Sequence, residues 1–272
     1  PEPPTAMNRA HLFALLAVLS LRPPAAGQAQ DVERRDRATL SRELPRAKLP
    51  KAKEYTLANG LTVLVLEDRR SPLVSLELHI SGAGALYDPT GSEGLAHVTA
   101  LMLREGTRTR TGKQVAEELA RLGAAASASA DFGSDSAIIK ASGPGDNLDR
   151  WLAVAVDVLL NPSFPAEELN RLKQDLKDQL RQQRSSAAFL LAERYHRAVF
   201  GDHPAAVVSP APELIEGLTT EMLARWHTER YGPQNAILGI AGDLRLGDLL
   251  RLRTLLQDWK RSETKPAWPV HP

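Results

Sequence analysis

The chain has no cysteine. That absence removes disulfides, thiolate metal sites, cysteine nucleophiles and cysteine lipidation together, so any metal would have to be held by histidines and carboxylates. An excess of charge is missing too: 34 Lys and Arg stand against 33 Asp and Glu, for a formal net charge of +1. Such a balance offers no electrostatic footprint for nucleic acid or an anionic membrane. Phosphate-loop chemistry is absent, because Gly143-Pro144-Gly145 is not followed by Gly-Lys-Ser or Gly-Lys-Thr and reads as a turn. Serine-hydrolase chemistry is absent as well, since Ser127, Ser129, Ser185 and Ser186 have no Gly-x-Ser-x-Gly around them.

What remains is an ordinary globular composition, 43% hydrophobic over 272 residues, enough to bury a full core. After Met7, Asn8-Arg9-Ala10-His11 gives a short positive region and Leu12 to Leu21 is apolar apart from Ser20. About ten residues are too few to span a bilayer as a helix. Arg22-Pro23-Pro24 ends the run and small residues come next at Ala25, Ala26, Gly27 and Ala29, so 7–29 reads as an export signal cleaved after Ala29. The expected location is periplasmic or secreted, with membrane contact only through that signal. Residues 30–53 are charged and aperiodic, which suits a flexible lead-in. No Pro-, Gly- or Ser-rich linker interrupts the chain beyond Lys53, so one domain is expected over 54–262, with a short tail at 263–272.

Within that domain, Asn59-Gly60 sits between two β-prone runs and predicts a tight hairpin with positive φ at both turn positions. Leu73 to Ile80 alternates apolar and polar residues, a half-buried strand whose His79 faces solvent. A helix is expected to begin at Gly94. Thr111 and Gln114 form a capping box for a second helix that Gly123 stops. Ala124 to Ala130 carries no clear signal; Ala137 to Ser142 reads as a strand, and Leu148 to Leu159 as a helix ended by Asn161-Pro162. The longest helix starts at Pro165 with Leu169, Leu172, Leu176 and Leu180 in one stripe, and its charges between Arg171 and Arg184 read as a solvated face. Helices over about 188–200, 221–231 and 246–259 and a buried strand over 236–241, closed by a Gly242-Asp243 turn, complete the pattern. Strands and helices alternate irregularly, without strict βαβ units, which predicts an α+β fold with a mixed, antiparallel-rich sheet.

The run Gly94-Leu-Ala-His-Val-Thr-Ala-Leu-Met-Leu-Arg-Glu-Gly-Thr107 resembles the M16 metallopeptidases, the insulinase, pitrilysin and mitochondrial processing peptidase group. The likeness continues in order through Asn161-Pro-Ser-Phe-Pro165, Leu180-Arg-Gln-Gln-Arg184, Phe200-Gly-Asp-His-Pro204, Tyr231-Gly-Pro-Gln-Asn235 and Gly242-Asp243. Members of that group carry His-x-x-Glu-His on this helix: two imidazoles one turn apart share a Zn²⁺ and the Glu takes a proton from its water. A further Glu ligand comes from the long helix. Here His97 keeps the first position, but Ala100 stands where the general base belongs, Leu101 where the second imidazole belongs, and Gln179 where the third ligand belongs. Asp175 and Asp178 lie beside Gln179 and offer a slipped alternative, which would still leave Leu101.

The resemblance therefore implies a domain of that fold without the metal, no catalytic residue and no cofactor. It implies a non-catalytic subunit that pairs with a zinc-bearing M16 partner and helps enclose a peptide substrate. The enzyme alternative is a divergent zinc peptidase that recruits His97 with other ligands, and a third reading is a solitary peptide-binding scaffold. His196, His203 and His227 form no His-x-x-x-His pair with one another, and His203 reads as structural. Family subunits usually hold two such domains in tandem, and the second is not represented here.

Overall fold

A computed structural model describes residues 51–262. The expected export signal (7–29), most of the lead-in (30–53) and the tail (263–272) lie outside the described residues. Six strands form one sheet: β1 (Lys53–Thr56), β2 (Thr62–Glu67), β3 (Leu73–Ser81), β4 (Ala125–Ser129), β5 (Ser136–Pro144) and β6 (Ala236–Gly242), in the order β1-β2-β6-β3-β5-β4. Only β2 and β6 run parallel. Among the described residues eight α-helices accompany them: α1 (Leu95–Met102), α2 (Gly112–Arg121), α3 (Leu148–Leu160), α4 (Ala166–Gln183), α5 (Ala187–Phe200), α6 (Pro212–Gly217), α7 (Thr220–Arg230) and α8 (Leu246–Leu256). The α+β class and the antiparallel-rich sheet are as expected.

The period-2 pattern of the strands decides which face is covered. Val63, Val65, Val74, Leu76, Leu78, Ile80, Ile139, Ala141, Leu238 and Ile240 are all buried and share one core with α1, α2, α3, α7 and α8. Trp151 of α3 is fully buried there and its indole N–H donates to the Pro144 carbonyl at 3.0 Å. The opposite face carries Leu64, Leu66, Ser75, Glu77, His79, Lys140, Ser142, Ile237, Gly239 and Ala241, none of them buried. A trough of about 530 Å³ opens on that side, floored by Ser75, Ser127, Ser142, Gly239 and Ala241.

Several expectations need correction. The hairpin loop is longer than two residues: Gly60 N–H donates to the Leu57 carbonyl and Leu57 N–H to the Leu61 carbonyl, both at 2.9 Å. Gly60 alone takes positive φ, at 95°, because this is a turn closed by one left-handed residue. Asn59 serves otherwise, its amide donating to the Leu256 carbonyl at 2.8 Å and the Trp259 carbonyl at 3.3 Å, so it caps the end of α8. Strand β6 is half-buried, not buried, with Ile237 50% exposed. Gly143 and Pro144 continue β5 in place of a turn. Ala124 to Ala130, which carried no signal, contains the edge strand β4. The face of α4 is not wholly solvated either, since Lys173 is buried and donates to the Glu216 carbonyl at 2.8 Å, with Lys177 on the Glu216 carboxylate at 2.6 Å. Both ammonium groups thus meet the C-terminal end of α6, where the helix dipole favours them.

Candidate functional site

Helix α1 is held at its start by backbone geometry and one carboxylate. Gly94 is its N-cap with φ 100°, and a Cβ there would lie 3.1 Å from the Pro210 ring. Asp88 accepts from Gly94 N–H at 2.7 Å and Ala96 N–H at 2.8 Å, satisfying two donors that the helix leaves open. Burial, opposed by those two bonds and helped by nearby Glu93, pushes its carboxyl up to about 7. Asp88 was not visible from sequence, where its only signal is an acid six positions before the helix start.

His97 is half-buried on α1, and its Nδ1 lies 3.2 Å from the Ala130 carbonyl. A carbonyl only accepts, so Nδ1 carries the hydrogen and Nε2 the lone pair. The ring lies against Phe132 with centroids 5.1 Å apart, and burial holds its pKa below the ordinary value, so it is neutral. Ala100 is 1% exposed, its methyl group inside the core, and Leu101 is half-buried. Gln179 is exposed on α4, as are Asp175 and Asp178, the latter ion-paired with Arg181. Among the described residues no group of three or more His, Asp and Glu is arranged to hold a metal ion. One imidazole beside a methyl and an isobutyl group does not fit a zinc centre, which needs three protein ligands and an open position.

Among the described residues the other histidines are engaged in the fold. His79 is exposed and bonded to Glu77 at 2.8 Å. His196 donates to the Ala205 carbonyl at 3.2 Å, while His203 accepts from Ala205 N–H at 3.1 Å. His227 donates from Nε2 to the Leu159 carbonyl at 2.8 Å, and burial pushes its pKa down to about 4.

The structure brings His97 to a feature that the sequence does not reveal, the outer edge of β4. Strand β4 pairs with β5 alone, in the register Ala125↔Ser142 to Ser129↔Ile138. The Ala126 carbonyl accepts from Arg104 at 2.9 Å and the Ala130 carbonyl from His97. Residues of one parity in an antiparallel edge strand point both backbone groups outward. Ala128, between those two, therefore offers its N–H and C=O away from the sheet. An extended chain laid there would add a seventh strand.

Comparison with known proteins is consistent across sequence and structure. The family model for insulinase, peptidase family M16, matches residues 62–209, more than half of the chain. An uncharacterized zinc protease of Rickettsia bellii is 27% identical over 216 residues, 78% of this chain and 52% of that protein. Subunit 1 of the mitochondrial cytochrome b-c1 complex of Caenorhabditis elegans is 24% identical over 197 residues, 72% of this chain and 41% of that protein. Among solved structures, a peptidase M16 inactive domain from Pseudomonas fluorescens superposes with TM-score 0.73 at 24% identity, covering 82% of this chain and 54% of that one. The chain spans about half the length of the relatives it matches.

Proposed function

The chain belongs to the M16 peptidase family, and from that premise we propose that it is a non-catalytic M16 domain that helps enclose a peptide for cleavage by a zinc-bearing M16 partner. One observation carries the reading: at the positions of the family's base and second imidazole stand Ala100 and Leu101, and His97 is turned to the Ala130 carbonyl. Without a positioned base or a metal-held water, the route to peptide hydrolysis used by the family is missing. Gln179, exposed on another helix, adds a neutral amide where a third ligand would stand.

What the domain keeps is a surface for extended peptide. The outer edge of β4 offers backbone groups beside α1, and the trough on the open sheet face leaves room for side chains, with Ser75, Ser127, Ser142, Gly239 and Ala241 set among Leu64, Leu66, Glu77 and Lys140. The export signal over 7–29 supports a site of work outside the cytoplasm.

A divergent zinc peptidase is the second reading, favoured by one detail: His97 donates from Nδ1 to a carbonyl, the arrangement that orients Nε2 in metal-binding histidines. Metal analysis of the purified chain separates the two. The expected result is substoichiometric zinc, unchanged in His97→Ala, with no peptidase activity from the chain alone. One zinc per chain that is lost in His97→Ala would overturn the non-catalytic reading.

A further inference from the structure

The β4 edge carries a cation that the fold does not neutralise. Arg104 lies in the turn after α1, is exposed, and uses Nη1 to hold the Ala126 carbonyl; among the described residues it has no ion-pair partner. A guanidinium has five N–H donors in a rigid fork. Two acids that flank α1 and α2 are engaged elsewhere, Glu105 by Arg171 at 3.1 Å and Glu118 by Arg110 at 2.8 Å.

We propose that Arg104 selects, among peptides extended along β4, those that place a carboxylate beside Ala126. The proposal rests on β4 being a peptide-binding edge and deepens that reading. Ala126 pairs with Ala141, which is buried, so Ala126 projects toward the helix layer. A strand added outside β4 projects its residue opposite Ala126 to the same side, where α1 packs against β4 and Arg104 begins. The residue opposite Ser127 projects to the open face instead. There the neighbouring cation, Lys140, is already held by Glu77 at 3.4 Å, and Glu77 by His79 at 2.8 Å. The unengaged charge is thus on the helix side alone. At the other end, His97 and Phe132 close the edge at Ala130, and the nearby charge is the carboxylate of Asp131. The edge is polarised, cationic by Ala126 and anionic by Ala130. A peptide bearing a carboxylate at the first end matches it, and one bearing Lys there does not.

The carboxylate is either an Asp or Glu side chain or the peptide's own C-terminus, and titration calorimetry of the full chain distinguishes them. The probes are short acetylated Thr/Val/Ser peptides with a central Glu, Gln or Lys and an amidated end, plus the Gln peptide with a free C-terminal carboxylate. At low salt, a carboxylate peptide should bind about 3- to 5-fold tighter than the amidated Gln peptide, with the advantage shrinking as salt rises. A gain in the Glu peptide identifies a side chain, a gain in the free-ended peptide the terminus, and either supports the proposal. Arg104→Gln should bring the ratio to one and Arg104→Glu should invert it, both with an unchanged circular dichroism spectrum. Equal binding of all four peptides to the wild type overturns the selection by Arg104 and leaves the edge reading standing. If no peptide binds, or if backbone N-methylation at the central residue leaves binding unchanged, the edge reading fails and the proposal with it.

Discussion

Asp88 and His227 titrate in overlapping windows with opposite consequences. In the folded chain burial holds the Asp88 carboxyl at about 7, against 3.8 for the free side chain. Between those values the folded protein keeps a proton that the unfolded chain has released, so this contribution is complete below about pH 4 and falls as pH rises toward 7. His227 is held at about 4 against 6.5. There the unfolded chain binds the extra proton, so stability is complete above about pH 6.5 and is lost as pH falls. Urea unfolding at several pH values from 4.5 to 6.5 should show each slope once the other group is removed. Asp88→Asn should leave stability climbing with pH and His227→Gln should leave it falling, each by up to about 1.4 kcal/mol per pH unit. Stability curves parallel to the wild type in both variants would refute the assignment. His97 and its neighbours were legible because the helix motif is local in sequence. Asp88 was not, because its value as a cap depends on the path of the intervening turn, and His227 depends on a carbonyl at the far end of α3.

At the scale of elements, helix caps and strand alternation carried the most information. Thr111 accepts from Gln114 N–H at 3.2 Å while the Gln114 side chain accepts from Thr111 N–H at 2.8 Å, the reciprocal pair expected for α2. Thr111→Ala should therefore cost about 1 kcal/mol, read as a lowered urea midpoint with unchanged slope, and a midpoint equal to wild type would show that α2 does not depend on this cap. Strand β4 was not legible because Ala-Ala-Ser-Ala-Ser has low strand propensity and its Ala/Ser alternation carries little hydrophobic contrast. It is a strand because β5 offers it a partner edge, and its small side chains are what keep the outer edge accessible. The hairpin loop was misread for a related reason: Asn59 is placed by α8, nearly 200 residues away in sequence, and not by the turn.

For the whole molecule, a strand order running β2-β6-β3 means that the second and third strands are separated by one made near the end of the domain. Strand β6 pairs with both, so the core cannot close until residues after 236 are in place, and the sheet closes as one unit. The hydrophobic patterns revealed each strand but not this insertion, because pairing across nearly the whole chain leaves no local trace. That unit buries one face of its sheet and leaves the other open, and the relatives it matches are about twice as long. An open face that mixes small residues with Leu64, Leu66, Lys140 and Ile237, and an edge strand with outward backbone groups, suit a domain that completes its binding surface against another. If the proposed pairing holds, a tagged chain recovered from its own cell envelope fraction will bring down an M16 chain that retains His-x-x-Glu-His. Zinc and peptidase activity should then follow that partner, and replacing the partner's motif Glu should abolish cleavage. Recovery of this chain alone, with the same peptide-binding strength as in the crude fraction, would instead favour a solitary binding domain.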